Sequence, residues 1–342
     1  MKTSVKKGAG AALAVISLMI AAILIAFCVS VLARPAQRSG ESAPSGADGK
    51  RAYTFLLIGR DKAAGLADVI MLAVFDTEKH DISVVQIPRD TYFNCADRDY
   101  KKINGALSAC RGAAGFSGTP GEALGAPVDF YVSIDLEVFV EVIDMLGGVD
   151  VNVPCDMEYT DPYQNLTVRL SKGRQTLDGK SAMQFVRYRA GYIRGDISRM
   201  DAQKIFLASV VKKLSETRDP MTLFGVFKVI SGRAETNLSE KDVLYFAYHF
   251  LQCDRGEISF VTAPGEDVQS KASGAWYYIL SRDTMSELLA GELGLQSSKN
   301  DFDKNLKFVD KNVKSFYDIY NKYCSYKVYR ADDVLNGGLE LK

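Results

Sequence analysis

Between Phe185 and Gln203 the chain places four arginines (Arg187, Arg189, Arg194, Arg199), two aspartates (Asp196, Asp201), two glycines and a glutamine within nineteen positions. Arg187 and Arg189 are two residues apart. On a helix that spacing sends them to nearly opposite faces, whereas on an extended segment it sends them to the same face. If both serve one ligand, the chain must leave the helix there, and Gly191 and Gly195 permit such a path. Downstream, Asp196 or Ser198 is expected to cap a new helix, on which Arg199 and Gln203 share a face at i,i+4. Several forked donors facing a helix N-terminus suit a phosphate or pyrophosphate. The competing reading is a solvated loop with ordinary surface ion pairs.

Two carboxylates stand earlier in the chain. Asp61 closes one apolar run and Asp68 opens the next, with a small Gly-containing loop between them. If the two runs are antiparallel neighbours, both carboxylates meet at one end of a sheet. Two hard oxygen ligands there suit Mg²⁺, which commonly takes one or two carboxylates plus phosphate oxygens and water. The alternative is that both are turn residues. A third apolar run ends in Pro88-Arg89-Asp90, which puts a guanidinium at the sheet edge where ligands tend to lie. Its alternative is a weak Arg89–Asp90 surface pair. Lys102 follows in Lys101-Lys102-Ile103-Asn104. For a general base, Asp90 and Asp196 both qualify and nothing in the sequence chooses.

The elements that must hold these groups follow from periodicity. Thr54–Ile58, Val69–Phe75, Ile82–Ile87, Val128–Ile134, Val149–Val153, Val168–Leu170 and Ile258–Ala263 read as strands. Val138–Leu146, a segment from about Lys180, Asp201–Leu214, Leu223–Ile230, Asp242–Leu251 and Thr284–Leu289 read as helices, and Pro264-Gly265 as a turn. Strands alternating with helices over this length indicate an α/β fold with helices packed on a central sheet. Asn300–Lys342 mixes aromatics with charges and has no long apolar face, so it reads as a small C-terminal appendage.

At the other end, Lys2, Lys6 and Lys7 precede Gly8–Ala33, which contains no charged residue. That run exceeds the roughly 20 residues needed to cross a bilayer, and the lysines favour an N-terminus kept inside. The expectation is a cytoplasmic segment 1–7, a transmembrane signal anchor 8–33, and a catalytic domain 51–295 outside the cell membrane, followed by the appendage 296–342. A signal peptide cleaved near Ala33 is the competitor. Residues 34–50, rich in Ser, Gly, Ala and Pro, read as a flexible tether with a reach of about 20–25 Å.

Composition removes other classes. With 42 basic and 42 acidic residues, overall positive charge cannot drive nucleic-acid binding. The two histidines, His80 and His249, lie far apart in the sequence without ligand-type neighbours, against a Ser-His-Asp hydrolase or a His-rich zinc enzyme. Ser209-Val-Val-Lys212 matches the S-x-x-K pattern, yet no S-D-N or K-T-G follows it. Five cysteines lie outside the expected anchor, and Cys95–Cys110, bordering one loop, is the favoured disulfide.

Taken in order, Gly59-Arg60-Asp61, Asp68-Val-Ile-Met-Leu, Ile87-Pro88-Arg89-Asp90, Lys102-Ile-Asn-Gly-Ala, Leu146-Gly-Gly-Val-Asp-Val-Asn-Val-Pro154, Leu177-Asp-Gly179, Val186-Arg-Tyr-Arg189 and Asp196-Ile-Ser-Arg199 resemble the LytR-CpsA-Psr family of bacterial envelope proteins. The set runs from about Tyr53 to Leu289 and follows a signal anchor, the family's usual layout. Arg60, Gln86, Ser198 and Ala202 depart from the usual pattern, the last removing an arginine often found before Gln203.

The resemblance implies a three-layer α/β/α sandwich around a central mixed β-sheet, with an apolar pocket for a prenyl chain. It implies a Mg²⁺-dependent phosphotransferase, Mn²⁺ being able to substitute. That enzyme moves a glycopolymer, of teichoic-acid or capsule type, from polyprenyl (undecaprenyl) pyrophosphate onto peptidoglycan. The acceptor would be the muramic acid 6-hydroxyl and the product a phosphodiester. Carried over, Asp61 and Asp68 bind the metal, and Arg89, Arg187, Arg189 and Arg199 grip the pyrophosphate, with Lys102 and Gln203 as further contacts. Asp90 and Asp196 complete the catalytic set. Phe139, Ile143, Phe185 and Phe206 are candidates for the lipid pocket as well as for ordinary core. A pyrophosphatase using water, and a non-catalytic sensor of lipid-linked intermediates, are the competing functions. Partners are the lipid-linked polymer, peptidoglycan and membrane lipid, with no nucleic acid.

Overall fold

Three runs dense in Val, Ile, Leu, Met and Phe form the centre of the sheet: β1 (Ala52–Asp61), β2 (Leu66–Asp76) and β3 (Asp81–Ile87). In the computed structural model, residues 51–341 are described except 62–63, 95–100, 163–165, 218, 296–301, 303, 310–312 and 324. Both faces of these strands are buried, which is why they read as continuous apolar runs instead of alternating ones. β1 pairs antiparallel with β2, and β2 antiparallel with β3. β4 (Phe130–Ile134) lies parallel to β1, and β10 (Ile258–Thr262) parallel to β3. With β9 (Glu235–Thr236) and β14 (Tyr329–Arg330) at its edges, the mixed sheet has the order β14-β10-β3-β2-β1-β4-β9. The expectation of an α/β fold built on a central mixed sheet holds.

Alternate residues of β1 and β2 separate into two buried clusters, one on each face. Phe55, Leu57, Met71 and Phe75 pack with α1 (Leu136–Met145), α2 (Gly179–Arg187), α3 (Asp196–Glu216), α4 (Pro220–Arg233) and α5 (Glu240–Phe250). Leu56, Ile58, Ile70 and Leu72 pack with the short helical turns between Ile103 and Phe116 and with α6 (Arg282–Gly291). Burying each such side chain contributes about 1.5–3 kcal/mol. Phe139, Ile143, Phe185 and Phe206 belong to the first cluster, with Phe206 5.6 Å from Phe139 and 6.4 Å from Phe185 between ring centroids. In this conformation they are core.

Several elements differ from expectation. Gly265 opens a strand, β11 (Gly265–Ser270), which pairs with β12 (Trp276–Leu280) and β13 (Tyr317–Tyr323) in a second, three-stranded sheet. Residues expected to form an appendage thus supply β13 to that sheet, and β14 to the edge of the main one beside β10. Aromatic-rich strands with charged outward positions lack a long apolar face, which concealed them. Two hairpin-like pairs, β5 (Val149–Val153) with β8 (Gly173–Leu177) and β6 (Met157–Asp161) with β7 (Leu166–Leu170), lead into α2. The expected anchor 8–33, the tether 34–50 and Cys95 of the proposed disulfide lie outside the described residues. No helix among the described residues is long and apolar enough to cross a membrane.

The two histidines, remote in sequence, meet in space: His80 Nε2 is 3.2 Å from His249 Nδ1, and the rings stack with centroids 5.4 Å apart. Burial, and then His80, push the His249 pKa down. A depressed folded-state pKa means that the unfolded chain binds the proton more readily. The contribution of His249 is therefore full above the ordinary histidine pKa of about 6.5 and falls as pH drops below it. Melting curves at pH 7.5 and 5.5 are expected to show a smaller acid-induced decrease in Tm for His249→Phe than for the parent chain. An equal decrease would contradict the assignment.

Candidate functional site

Asp68 owes its position to a defect in the β1–β2 ladder. Gly59 pairs with Val69 and Arg60 with Ala67, so Asp68 is the extra residue of a bulge. A bulge re-aims one side chain, and here the Asp68 carboxylate is buried and accepts a 2.9 Å hydrogen bond from Arg89 Nη1. Asp61 lies at the same end of the hairpin, where its Oδ1 accepts from the Ala64 amide at 3.0 Å. Asp61 therefore does serve the turn. The two carboxylates also share a neighbour: burial lowers the Arg187 pKa, opposed first by Asp68 and then by Asp61.

Helix α2 stops at the arginine pair. Asp178 caps its start by accepting from the Ser181 amide at 2.7 Å, Arg187 is its last residue, and Tyr188 is extended at φ −63° and ψ 135°. Arg187 and Arg189 thus leave the chain on either side of an extended residue, not from one helical turn. Gly191 leaves room for the Tyr188 ring, since a Cβ there would lie 2.5 Å from Tyr188 Oη. Gly195, at φ +50°, is the N-cap of α3 and makes no side-chain cap. The expected capping by Asp196 or Ser198 is not what occurs: both are inside the first turn, and Asp196 is drawn instead to the arginines.

Asp196 Oδ1 is 2.8 Å from Arg199 Nη2 and 3.9 Å from Arg89 Nη2. Neither contact is an aligned hydrogen bond, so the oxygen is held by charge more than by direction. Burial pushes the Asp196 carboxyl up, but Arg199, then Arg89 and Arg189, outweigh it and hold the group below the usual carboxylate range. Arg89 shows the reciprocal effect: burial lowers its pKa, while Asp196 and Asp68 raise it further. Arg189 is exposed, yet its charge reaches Asp196 and Arg199.

A small cavity opens between the sheet and α3, lined by Asp68, Gln86, Arg89, Asp196, Arg199 and Gln203 together with apolar neighbours. Gln86 Nε2 donates to Gln203 Oε1 at 3.2 Å. Arg89 Nε, Arg199 Nε and Gln203 Nε2 are buried donors with no acceptor among the described residues. Buried donors left unmatched are costly unless a ligand takes them, and three of them beside guanidinium groups fit an anion. Lys102 stands at the margin, its Nζ donating to Asp90 Oδ1 at 2.8 Å.

The site carries a second layer that sequence reasoning left out. Lys204, fully buried on α3, donates from Nζ to Asp201 Oδ1 at 2.9 Å and to Thr262 Oγ1 at 2.7 Å. Arg194 Nη2 donates to the other oxygen of Asp201 at 2.6 Å. Arg194 is therefore committed to holding α3. Its only sequence signal was an acid seven residues downstream. Gln86 was noted as a departure only; a polar residue in a strand buried on both faces was the signal that it touches the site.

For a divalent cation, the donor set is two carboxylates at one hairpin end. No group of three His, Cys, Asp or Glu residues that could hold a metal occurs among the described residues. That set suits Mg²⁺, completed by phosphate oxygens and water, better than a zinc site made of protein ligands alone.

Comparison with known proteins bears on the family and the fold of the chain. The model of the LytR_cpsA_psr family matches residues 31–292. A curated relative from Bacillus mycoides (strain KBAB4), named polyisoprenyl-teichoic acid–peptidoglycan teichoic acid transferase TagU, is 29% identical over 229 residues, covering 66% of this chain and 72% of its own. A solved structure described as TagT bound to LIIa-WTA aligns with a TM-score of 0.56 at 26% identity, covering 75% of this chain and 95% of that one. The crystal structure of B. subtilis TagV aligns at 0.60 with 23% identity over 73% of this chain and all of that one, a likeness of fold alone.

Proposed function

The chain belongs to the LytR-CpsA-Psr family, and from that membership and the arginine-lined cavity we propose that it transfers a glycopolymer from a polyprenyl-pyrophosphate carrier onto peptidoglycan. The observation that carries the reading is the set of unmatched buried donors, Arg89 Nε, Arg199 Nε and Gln203 Nε2, beside the Asp61–Asp68 hairpin end. The relatives' names supply the class of donor and acceptor: a polyisoprenyl-linked teichoic acid and peptidoglycan for TagU.

In the proposed reaction a sugar hydroxyl of the acceptor, taken as the muramic acid 6-hydroxyl, forms a bond to the phosphorus that bears the polymer. The bond from that phosphorus to the polyprenyl phosphate breaks, and the hydroxyl proton passes to a base. Phosphoryl transfer needs mainly positioning and charge stabilisation. Arg89 and Arg199 neutralise charge on the pyrophosphate from inside the cavity, while Arg187 and Arg189 approach from the end of α2. Mg²⁺ bound at Asp61 and Asp68 would add a Lewis acid for the phosphate oxygens. Asp196, kept ionised by its arginines, is a poor base and is assigned to orienting Arg89 and Arg199. Asp90, at the margin with Lys102, becomes the candidate base. The segment 8–33 is assigned as the membrane anchor that keeps the domain near lipid-linked substrate outside the cell.

The reading is tested by incubating the protein with Mg²⁺, a lipid-linked oligosaccharide and peptidoglycan oligomers, and following the phosphodiester product. Release of polyprenyl phosphate with only free sugar phosphate would overturn transfer in favour of hydrolysis. Lipid binding without turnover would overturn both in favour of a sensor. Within the arginine cluster, Arg187→Ala and Arg189→Ala are each expected to lower transfer by about 10²-fold or more. Arg194→Ala should keep the rate and lower the melting temperature, because Arg194 pairs with Asp201. Equal rate losses from all three would refute this division.

A further inference from the structure

The second sheet carries an aromatic surface that the transfer site does not use. One face of the sheet buries Val268, Tyr277, Ile279 and Tyr317. Elsewhere on the sheet, Trp276 and Tyr320 remain 45% and 54% exposed, with ring centroids 4.3 Å apart and planes inclined at 49°. Tyr320 is the extra residue of a bulge, since Asp267 pairs with Asn321 and Val268 with Ile319. Its hydroxyl donates to Gln269 Oε1 at 2.9 Å, and Gln269 Nε2 donates to the Gly274 carbonyl at 2.9 Å. The Tyr320 ring is therefore held in place before any ligand arrives, with Trp276 packed against it. Large, rigid, amphipathic rings give contact area at low cost in side-chain entropy.

We propose that Trp276 and Tyr320 form a platform for the acceptor glycan, an uncharged strand of β-linked N-acetylated pyranosides. Such sugars present apolar C–H faces that stack on aromatic rings, while the Tyr320 and Gln269 polar groups meet their hydroxyls and amides. The charges around the platform point the same way. Lys271 Nζ is 3.7 Å from Asp318 Oδ1, and Lys322 Nζ is 3.7 Å from Glu266 Oε1. The three strands themselves carry Glu266, Asp267 and Asp318 against Lys322, so they have no excess of positive charge to favour a phosphate-rich polymer or an anionic bilayer.

The platform is also continuous with the transfer site. Tyr278, two residues along β12 from Trp276, donates its amide to the Asp90 carbonyl at 2.9 Å and accepts from the Tyr92 amide at 2.8 Å. Two residues of strand span about 7 Å, so a glycan seated on Trp276 is within a few sugar units of Asp90 and Arg89. The acceptor assignment rests on the proposed transfer; the binding itself does not.

Trp276 is the sole tryptophan of the chain, so its emission reports on the platform directly. The full chain in detergent should show a saturable change in emission on titration with a chito-oligosaccharide, and none with poly(glycerol phosphate) or phosphatidylglycerol vesicles. Tyr320→Ala should weaken that binding roughly threefold to tenfold, and Tyr320→Phe, which keeps the ring, by much less. Circular dichroism of each variant establishes that it is folded. In the transfer assay Tyr320→Ala should raise the acceptor KM by more than it lowers kcat. No emission change with the oligosaccharide, equal binding by folded Tyr320→Ala, or a response only to vesicles or polyanion would overturn the proposal. A parent chain that binds the oligosaccharide but never cleaves the donor would refute the transfer reading and leave the glycan platform standing.

Discussion

Replacing Arg89 by alanine is expected to reduce transfer by about 10²–10³-fold or more, the scale seen when a preorganised donor is removed from developing charge. The residue joins two parts of the site: Nη1 donates to Asp68, Nη2 faces Asp196, and Nε is an unmatched buried donor at the cavity. Alanine would also leave the Asp68 carboxylate buried without this partner, and breaking such a pair costs about 3–5 kcal/mol. Loss of activity could then be loss of fold, which Arg89→Lys resolves. Lysine keeps the charge but cannot donate in a fork to Asp68 and the phosphate together. The expected result is a protein with near-parental melting and a rate still reduced by at least about tenfold. Parental rates in Arg89→Lys would show that only the charge matters. Acid should act on the same group of residues. Asp196 has a folded-state pKa below the ordinary carboxylate value, so its contribution is present above about pH 4 and is lost as pH falls through the folded value.

The second large effect is expected at Lys204, where the measurement is stability. Its side chain is fully buried, and its ammonium is held by Asp201 and Thr262. Burial lowers the Lys204 pKa and Asp201 opposes this. Lys204→Ala removes a buried cation, leaves Asp201 with Arg194 alone, and opens a void between α3 and the end of β10. A loss of about 3–5 kcal/mol follows from breaking a buried pair. Denaturant unfolding checks it, and a change within about 0.5 kcal/mol would contradict the role, since surface substitutions fall in that range. A double change, Lys204→Met with Asp201→Leu, should recover much of the loss, because an apolar pair of similar volume carries no desolvation penalty. Recovery of stability without recovery of rate would show that the ion pair also sets the angle of α3, which carries Asp196, Arg199 and Gln203.

Local chemistry made much of this protein legible. Apolar runs in the order seen at Thr54–Ile58, Val69–Phe75 and Ile82–Ile87 can hardly be anything but buried strands, and they became β1, β2 and β3. Spacing showed that Arg187 and Arg189 could serve one ligand only if the chain left the helix between them, and Tyr188 is extended there. Motif order was enough to indicate the family, because each motif keeps a short-range geometry.

What only the tertiary structure decided are the relations between distant segments. Asp68 meets Arg89 through a bulge that no composition rule foretells. Asp196, expected to cap a helix, turns to Arg199 and Arg89 because three guanidinium groups outbid one backbone amide. Arg194, given no phosphate-binding role at the level of sequence, finds its partner in Asp201 only in the fold. His80 and His249 touch across 169 residues, and Trp276 finds Tyr320 only once β13 has joined β11. Residue type and local spacing determine which groups can form strands, helices and charged clusters, since those depend on neighbours in the chain. Which charges pair and which donors stay unmatched depends on the packing of elements that the chain brings together from far apart.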